Sequence, residues 1–204
     1  MSLPTLRAGR LLLRPFTPVD GPVVRRLAGA PEVADTTLTI PHPYPDGAAE
    51  DWIATHAADW EARRALHLAI VDEEHGLLGA IGLVLAMDHL RGELGYWVGV
   101  PYWGRGIATQ AARAVIRFAF EELGLERVYA MHFARNPASG RVLVKAGMRH
   151  EGRLHRHVRK GGRFEDAVLY AVLRPRGRVD YARAPCPSTR PIRTCCPTRP
   201  SSPA

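Results

Sequence analysis

The sequence predicts an α/β fold in which a mixed sheet and its helices surround one hydrophobic core. Short apolar, branched runs alternate along the chain with segments whose apolar residues recur at helical spacing. Gly, Pro and Asp residues separate these segments as turns. The chain has 204 residues, 46% apolar and 24% charged, which suits one globular domain. The predicted order is β-α-α-β-β-β-α-β-α-β-β, with about seven strands and about four helices.

A strand and two helices come first. Residues 10–14 form a short apolar strand that Pro15 ends. Thr17 suits the N-cap of the first helix, because a proline follows it at the first helical position. After a Pro-rich loop, Asp46 can cap the second helix. The aromatic stripe of this second helix, which is either core or one wall of a cleft, consists of Trp52, His56 and Trp60.

The middle of the chain carries a hairpin, two further strands and a long helix. Residues 66–71 and 77–87 are apolar runs around a polar turn, which predicts an antiparallel hairpin. The elements that follow are a strand at 93–100, a helix at 105–123 and a strand at 127–133.

A short helix and a second hairpin complete the body of the chain. Asn136 and Pro137 favour a helix start, and Gly147 favours an end in the left-handed conformation. Residues 150–159 and 165–173 flank a Lys-Gly-Gly turn, which predicts the hairpin.

Residues 174–204 differ sharply in composition from residues 1–173. They hold seven prolines, and seven arginines against one acid, so that only +2 of the net charge of +8 belongs to the body. Such a segment buries too little apolar surface to offset its ordering entropy. We therefore expect a folded domain at 1–173 and a disordered tail at 174–204. A basic tail on a nearly neutral body does not favour a nucleic-acid partner.

The cysteines and histidines give no sign of a metal site. All three cysteines (Cys186, Cys195 and Cys196) lie in the tail, so the body offers no thiolate ligand, disulfide or cysteine nucleophile. His155 and His157 share one face of a predicted strand, but no third ligand accompanies them. We expect a protein without metal.

Hydropathy indicates a soluble, cytoplasmic protein without a membrane partner. The apolar stretches fall short of the roughly 20 residues that a membrane span needs. Residues 1–14 lack the ~7–15-residue apolar core of a signal peptide.

Residues 99–109 form a glycine-containing turn between a predicted strand and an Ala-rich helix. Glycines permit a tight turn and let a ligand approach backbone N–H groups. The start of the helix adds unpaired donors and a positive dipole end, which suit a phosphate. The turn is neither a Walker loop nor a dinucleotide fingerprint. By itself it indicates either a phosphate site or a plain strand end.

Three blocks in a fixed order identify the pattern. They are Glu93-Leu94-Gly95-Tyr96-Trp97-Val98, the glycine turn, and the segment from Asn136 to Met148. Together with residues 10–15 and 170–173, they resemble the GNAT acetyltransferase superfamily in its RimJ/RimL-like branch, over nearly the whole body. The resemblance implies a central, mostly antiparallel sheet. It also implies transfer of acetyl from acetyl-CoA to a primary amine by direct attack in a ternary complex, with a homodimer as an open possibility.

The resemblance implies where acetyl-CoA binds. The loop that holds the pyrophosphate in this superfamily, with the helical residue after it, corresponds to Trp103, Gly104, Arg105, Gly106, Ile107, Ala108 and Thr109. The strand that pairs with the pantetheine arm corresponds to Trp97, Val98 and Val100. Trp103 departs from the usual Gln or Arg, which costs little where backbone N–H groups make the contacts. Asn136 corresponds to a residue near the pantetheine or the reaction centre, and it also suits a plain N-cap.

Two residues are candidates for the proton transfers. By the resemblance, Glu93 is a general base that acts through water, and desolvation in a cleft would tune its pKa for that role. The alternative is a strand-edge carboxylate, solvated or paired with an arginine. Many superfamily members carry a tyrosine acid where this chain has Leu143. Ser139 is therefore the candidate donor to the departing sulfur, although it also suits the first turn of its helix.

The favoured acceptor in this branch is the α-amine of a protein N-terminus, with small amines as an alternative. The ordinary pKa of an α-amine, about 7.7–8.0, leaves more neutral amine at pH 7 than that of Lys, about 10.4. No covalent acyl-enzyme is expected, because the body has no cysteine and no apparent Ser-His-acid set. The other two function classes are a non-catalytic acyl-CoA-binding module and a nucleic-acid binder led by the tail.

Overall fold

A computed structural model describes residues 2–175, whose strands form one sheet. The strands are β1 (Leu6–Ala8), β2 (Leu11–Arg14), β3 (Ala65–Asp72), β4 (Gly76–Ala86), β5 (Arg91–Val98), β6 (Arg127–Phe133), β7 (Arg149–Lys160) and β8 (Arg163–Leu173). The helices are α1 (Gly21–Ala28), α2 (Pro31–Thr36), α3 (Ala48–Glu61), α4 (Ile107–Glu121) and α5 (Pro137–Lys145). Single 3₁₀ turns lie at Pro18–Asp20, Met87–His89 and Val100–Tyr102.

The eight strands lie in the order β1-β2-β3-β4-β5-β6-β8-β7. Neighbouring strands pair antiparallel, except β5 and β6, which are parallel and are connected through α4. A parallel pair needs such a crossover connection, whereas the hairpins need only short turns. The sheet is therefore mixed and mostly antiparallel, as predicted.

Helices cover both faces of the sheet. The alternation of side chains along β3 sends Leu66, Leu68 and Ile70 into the core that includes α4 and Leu143 of α5. It sends Ala69 and Val71 into a second core with α1 and α3. Along β5, Leu94 and Val98 belong to the α4 core, and Trp97 packs on the opposite core, as the alternation of side chains along a strand requires.

The structure adds two elements that the sequence pattern did not predict. The strand β1 pairs with β2 across a turn at Gly9, whose φ of 62° is left-handed. The helix α2 has only six residues. Both are too short to show a full period of apolar residues, so no periodicity marks them.

Several predicted element boundaries shift by a residue or two. Thr17 precedes a 3₁₀ turn rather than an α-helix, and its backbone N–H donates to the carboxylate of Asp20 at 2.8 Å. The second predicted helix, α3, begins after Gly47 rather than after Asp46. The Gly47 backbone is left-handed, with a φ of 77°. The strand β5 ends at Val98 because Val100 enters a 3₁₀ turn.

The edge strand β7 contains a bulge opposite Asp166. Three β7 residues between Leu154 and Val158 face this one residue of β8. The Asp166 carboxylate accepts hydrogen bonds from the Arg156 backbone N–H at 2.8 Å and from the Arg153 Nε at 2.9 Å. Asp166 therefore stabilises the bulge.

The C-terminal segment that we expected to be a disordered tail lies, from residue 176 onward, outside the described residues. Before that point, the Arg174 backbone N–H donates to the Glu126 carbonyl at 2.9 Å. None of the helices among residues 2–175 combines the length and the apolar character needed to cross a membrane.

Candidate active site

The parallel strands β5 and β6 pair over only a short stretch. Arg91 lies beside Arg127, and Glu93 lies beside Tyr129 as the last pair. The strand β5 continues to Val98 and β6 to Phe133, but these described residues form no further pairs with each other. The two strands therefore leave a gap in the middle of the sheet, along which their backbones do not pair with each other.

Two cavities meet at this gap. The large cavity has a volume of about 560 Å³ and the small cavity about 360 Å³. The residues that line both cavities are Thr36, Thr37, Tyr96, Trp97 and Ser139. Two ligands bound on either side would therefore approach each other at Tyr96, Trp97 and Ser139.

The small cavity lies at the glycine turn. Gly104 and Gly106 both have left-handed backbones, with φ of 76° and 75°. Gly106 is the N-cap of α4 and has no side chain that could bind the first-turn N–H groups. These groups lack partners within a helix and attract anions. The turn therefore exposes backbone N–H groups to which a pyrophosphate can bind.

Most residues predicted to bind acetyl-CoA line the small cavity. They are Trp97, Val98, Trp103, Gly104, Gly106, Ile107, Ala108, Thr109 and Asn136. Val100 and Arg105 do not line it: Val100 lies in the 3₁₀ turn, and the Arg105 guanidinium lies 5.7 Å from the centre of the Tyr102 ring. Two cationic residues of α5 that the sequence analysis did not single out, Arg141 and Lys145, also line the cavity.

The Trp103 side chain fixes the turn to the end of β5. Its indole Nε1 donates a hydrogen bond to the Val98 carbonyl at 2.6 Å. Trp103, which stands where Gln or Arg is usual, therefore makes a structural contact with β5. The backbone N–H groups of Gly104 and Gly106 remain available to a ligand.

The start of α5 brings Ser139 to the gap. Asn136 caps this helix, since its Oδ1 accepts from the Ser139 backbone N–H at 3.3 Å. The Ser139 Oγ lies 2.7 Å from the hydroxyl of Tyr96. Burial raises the pKa of Tyr96 to about 12, against the opposing effect of the Ser139 hydrogen bond. The phenol therefore keeps its proton at neutral pH.

Leu143, at the position where many superfamily members carry a tyrosine acid, is completely buried in the α4 core. Leucine has no hydroxyl, so this position offers no proton donor. The phenol that lies at the gap is that of Tyr96 on β5, which the sequence analysis did not identify as part of the site.

Glu93 lines the large cavity and is half-buried. Its Oε2 accepts a hydrogen bond from the Tyr129 hydroxyl at 3.2 Å. Burial and the neighbouring Glu93 carboxylate raise the pKa of Tyr129. The guanidinium groups of Arg91 and Arg127 each lie 5.9 Å from the centre of the Tyr129 ring. Glu93 thus pairs with a tyrosine that the sequence analysis did not single out, rather than directly with an arginine.

The segment 36–41 forms one wall of the large cavity and is held at both ends. At its start, Arg135 donates to the carbonyl of Asp35 at 2.6 Å and also pairs with Glu165. Near its end, the Lys160 Nζ donates to the carbonyls of Leu38 and Ile40. Arg135 and the second hairpin thereby hold this wall at its two ends.

Comparison with known proteins agrees with this geometry. Residues 10–149 match the acetyltransferase (GNAT) domain family. The uncharacterized N-acetyltransferase YoaA of Bacillus subtilis is 31% identical over 175 residues, which cover 85% of this chain and 98% of that protein. The [ribosomal protein uS5]-alanine N-acetyltransferase of Escherichia coli is 30% identical over 82 residues, which cover 40% of this chain and 42% of that protein.

A solved structure has the same fold at lower sequence identity. The microcin C7 self-immunity acetyltransferase MccE, in complex with acetyl-CoA and AMP, superposes with a TM-score of 0.73 and 18% identity. The superposition covers 81% of this chain and 93% of that one. The domain match and the relationship to YoaA lead to one conclusion. The chain belongs to the GNAT family of acetyl-CoA-dependent acyltransferases.

Proposed function

We propose that the gap between β5 and β6 is the active site of a RimJ/RimL-like enzyme that acetylates the α-amine of a protein N-terminus by direct attack. The observation that carries this proposal is the meeting of the two cavities at Tyr96, Trp97 and Ser139. The small cavity would hold acetyl-CoA and the large cavity the amine. The two substrates then form a ternary complex, so that no acyl-enzyme is needed.

The residues of the small cavity fit acetyl-CoA. The start of α4 and the backbone at Gly104 and Gly106 suit the pyrophosphate, and Arg141 and Lys145 can pair with phosphate oxygens. The edge of β5 that faces the gap would offer backbone partners for the amides of the pantetheine arm, apart from the Val98 carbonyl, which already accepts from Trp103. When bound, acetyl-CoA supplies a thioester, which is activated toward attack by an amine.

Glu93 is suited to accept the proton of the attacking amine. It is the acidic residue among the described residues that line the large cavity, and the Tyr129 hydroxyl orients one of its oxygens. The carboxylate can take this proton through an intervening water.

Ser139 is suited to donate a hydrogen bond to the sulfur that leaves. The Tyr96 hydroxyl, 2.7 Å away, holds the Ser139 Oγ in position. If Tyr96 donates to Ser139, the serine proton is free to point into the gap.

Two arguments favour an α-amine as the acceptor. An α-amine has an ordinary pKa of about 7.7–8.0, so that a modest base suffices to free it at neutral pH. The Escherichia coli relative is named for acetylation of an alanine of ribosomal protein uS5. A small amine is the second candidate acceptor.

A thiol-release assay tests the proposal. The full chain is incubated with acetyl-CoA and either N-terminal peptides that begin with Ala, Ser or Met or the same peptides with a blocked α-amine. We expect free CoA to form only with an open α-amine, and mass spectrometry to place the acetyl group there. Binding of acetyl-CoA without turnover on any amine would instead indicate a non-catalytic acyl-CoA-binding module.

A further inference from the structure

The floor of the large cavity is built from aromatic rings that contact one another. Trp52 of α3 and His67 of β3 line the cavity, and their ring centres lie 5.6 Å apart. Behind them, His56 stacks on His67 at 4.5 Å and contacts Trp52 edge-on at 4.4 Å. Phe16 packs against Trp52 at 5.1 Å. These four rings, the ring floor, support one another and present a rigid apolar surface to the cavity.

The ring floor carries no charge at neutral pH. Burial lowers the pKa of His67, although Asp59 opposes the shift. Burial, together with the neighbouring His67, lowers the pKa of His56 to about 4. Both ring nitrogens of His56 are buried without a hydrogen-bond partner among the described residues. Because both pKa values lie below the ordinary 6.5, the two imidazoles are mostly neutral at pH 7.

The rest of the large cavity has a single carboxylate. Among the described residues that line it, Glu93 is the one acidic side chain, and none is Lys or Arg. Two acids near its rim are already paired, Asp35 with Arg135 and Asp59 with Arg64. The cavity can therefore compensate one ammonium group, and it offers apolar surface to whatever is attached to that group.

We propose that the ring floor binds an uncharged, apolar or aromatic side chain next to the acceptor amine, so that the enzyme selects monoamines with such a side chain over polycations. This inference rests on the proposed function. For a protein acceptor, the favoured first residue is Phe, Leu or Met rather than Asp or Lys.

Two physical effects produce this selectivity. An apolar side chain that leaves water for the surface of Trp52 and His67 gains free energy in proportion to the area that it buries. A second ammonium group on the acceptor would lose hydration without meeting a carboxylate, and a buried charge without a partner is costly. The first effect favours Phe, Leu and Met, and the second excludes polyamines.

The first arm of the test compares acceptors on the wild-type enzyme at pH 7. One peptide sequence is varied only at its first residue, which is Phe, Leu, Ala, Asp or Lys. Two pairs of small amines, 2-phenylethylamine with spermidine and propylamine with 1,3-diaminopropane, separate apolar surface from charge. We expect kcat/KM for the Phe peptide to exceed that for the Ala peptide by at least about tenfold. We expect kcat/KM for spermidine to be at least about 100-fold lower than for 2-phenylethylamine.

The second arm removes the ring that the inference invokes. Trp52→Ala is expected to lower kcat/KM for the Phe peptide at least about tenfold more than for the Ala peptide. Trp52→Phe, which keeps a ring, is expected to retain most of the preference. Phe164→Ala is the matched control, because Phe164 is 66% exposed and lies outside the cavity. Calorimetric binding of acetyl-CoA verifies that each variant is folded.

Equal kcat/KM values for all open α-amines, or a preference for spermidine, would overturn the inference while leaving the acetylation of amines intact. An equal loss for every acceptor in Trp52→Ala would also overturn it. If no peptide is acetylated but 2-phenylethylamine is, the proposed protein acceptor fails and the ring floor inference stands.

Discussion

The hydroxyl oxygens of Tyr96 and Ser139 lie 2.7 Å apart, although the two residues are 43 positions apart in the chain. The contact joins β5 to the first turn of α5 at the point where the two cavities meet. Because burial raises the pKa of Tyr96 to about 12, the pair keeps both of its protons over the physiological range. In the proposed function, Ser139 therefore acts as a hydrogen-bond donor and not as a deprotonated nucleophile.

The first prediction distinguishes Ser139, which acts on the substrate, from Tyr96, which positions Ser139. Ser139→Ala is expected to lower kcat by about tenfold, because the thiolate of a thiol with a pKa of about 8.5 can leave unaided. Tyr96→Phe is expected to lower kcat less. The double variant is expected to match Ser139→Ala, because Tyr96 acts through Ser139. Losses that multiply in the double variant would contradict this arrangement, and acetyl-CoA binding serves as the control.

The second prediction concerns the glycine turn. Gly106→Val is expected to raise the dissociation constant of acetyl-CoA at least about tenfold, because a β-branched residue is strained at a φ of 75° and obstructs the backbone. Calorimetry measures the change. Gly76→Val is the matched control, since Gly76 has a φ of 68° and open space around it but lies at the start of β4, outside the small cavity. If both variants bound acetyl-CoA equally weakly, backbone strain alone would explain the loss, and Gly106 would not belong to the binding site.

The third prediction uses the low pKa of His56. With a pKa of about 4 in the folded chain and about 6.5 in the unfolded chain, the unfolded state takes up the proton first as the pH falls. His56 therefore lowers the free energy of unfolding as the pH falls from about 6.5 to about 4, by about 2–3 kcal/mol. His56→Phe is expected to remove this part of the acid sensitivity and to keep the ring contacts.

Urea unfolding at pH 7.0 and at pH 4.5 measures the effect. The difference in unfolding free energy between the two pH values is expected to shrink in His56→Phe. It is expected to remain as in wild type in His157→Phe, because His157 is exposed on β7. An unchanged difference in His56→Phe would show that this imidazole titrates normally.

Local signals in the sequence predict much of the fold. The polar turn between residues 72 and 76 sets the hairpin of β3 and β4, because a tight turn fixes the pairing of the strands that it joins. Asn136 and Gly147 begin and end α5 as predicted, with Gly147 at a φ of 96°. The alternation along β5 also predicts which side chains face each core.

The long-range parts of the site could not be predicted in this way. The Tyr96–Ser139 contact and the hydrogen bonds of Lys160 to Leu38 and Ile40 depend on tertiary packing and leave no local pattern. His67 occupies an ordinary position in an apolar strand, and only the fold brings it against Trp52 and His56. The one local indication was the presence of His67 within the apolar run of β3, because a polar side chain among buried apolar residues often has a specific role.

The most direct test of the account is the turnover of Glu93→Gln as a function of pH. The substitution keeps the shape of the side chain and removes the base, so kcat at pH 6.5 is expected to fall by roughly 10²–10⁴. Acetyl-CoA affinity is expected to stay as in wild type, and Glu121→Gln, an exposed acid on α4, is expected to retain full activity. The loss of kcat should shrink toward pH 8.5, because an α-amine with a pKa of about 7.7–8.0 is already mostly neutral there. Near-normal turnover of Glu93→Gln at pH 6.5 would contradict the account, because Glu93 would then be a structural residue beside Tyr129.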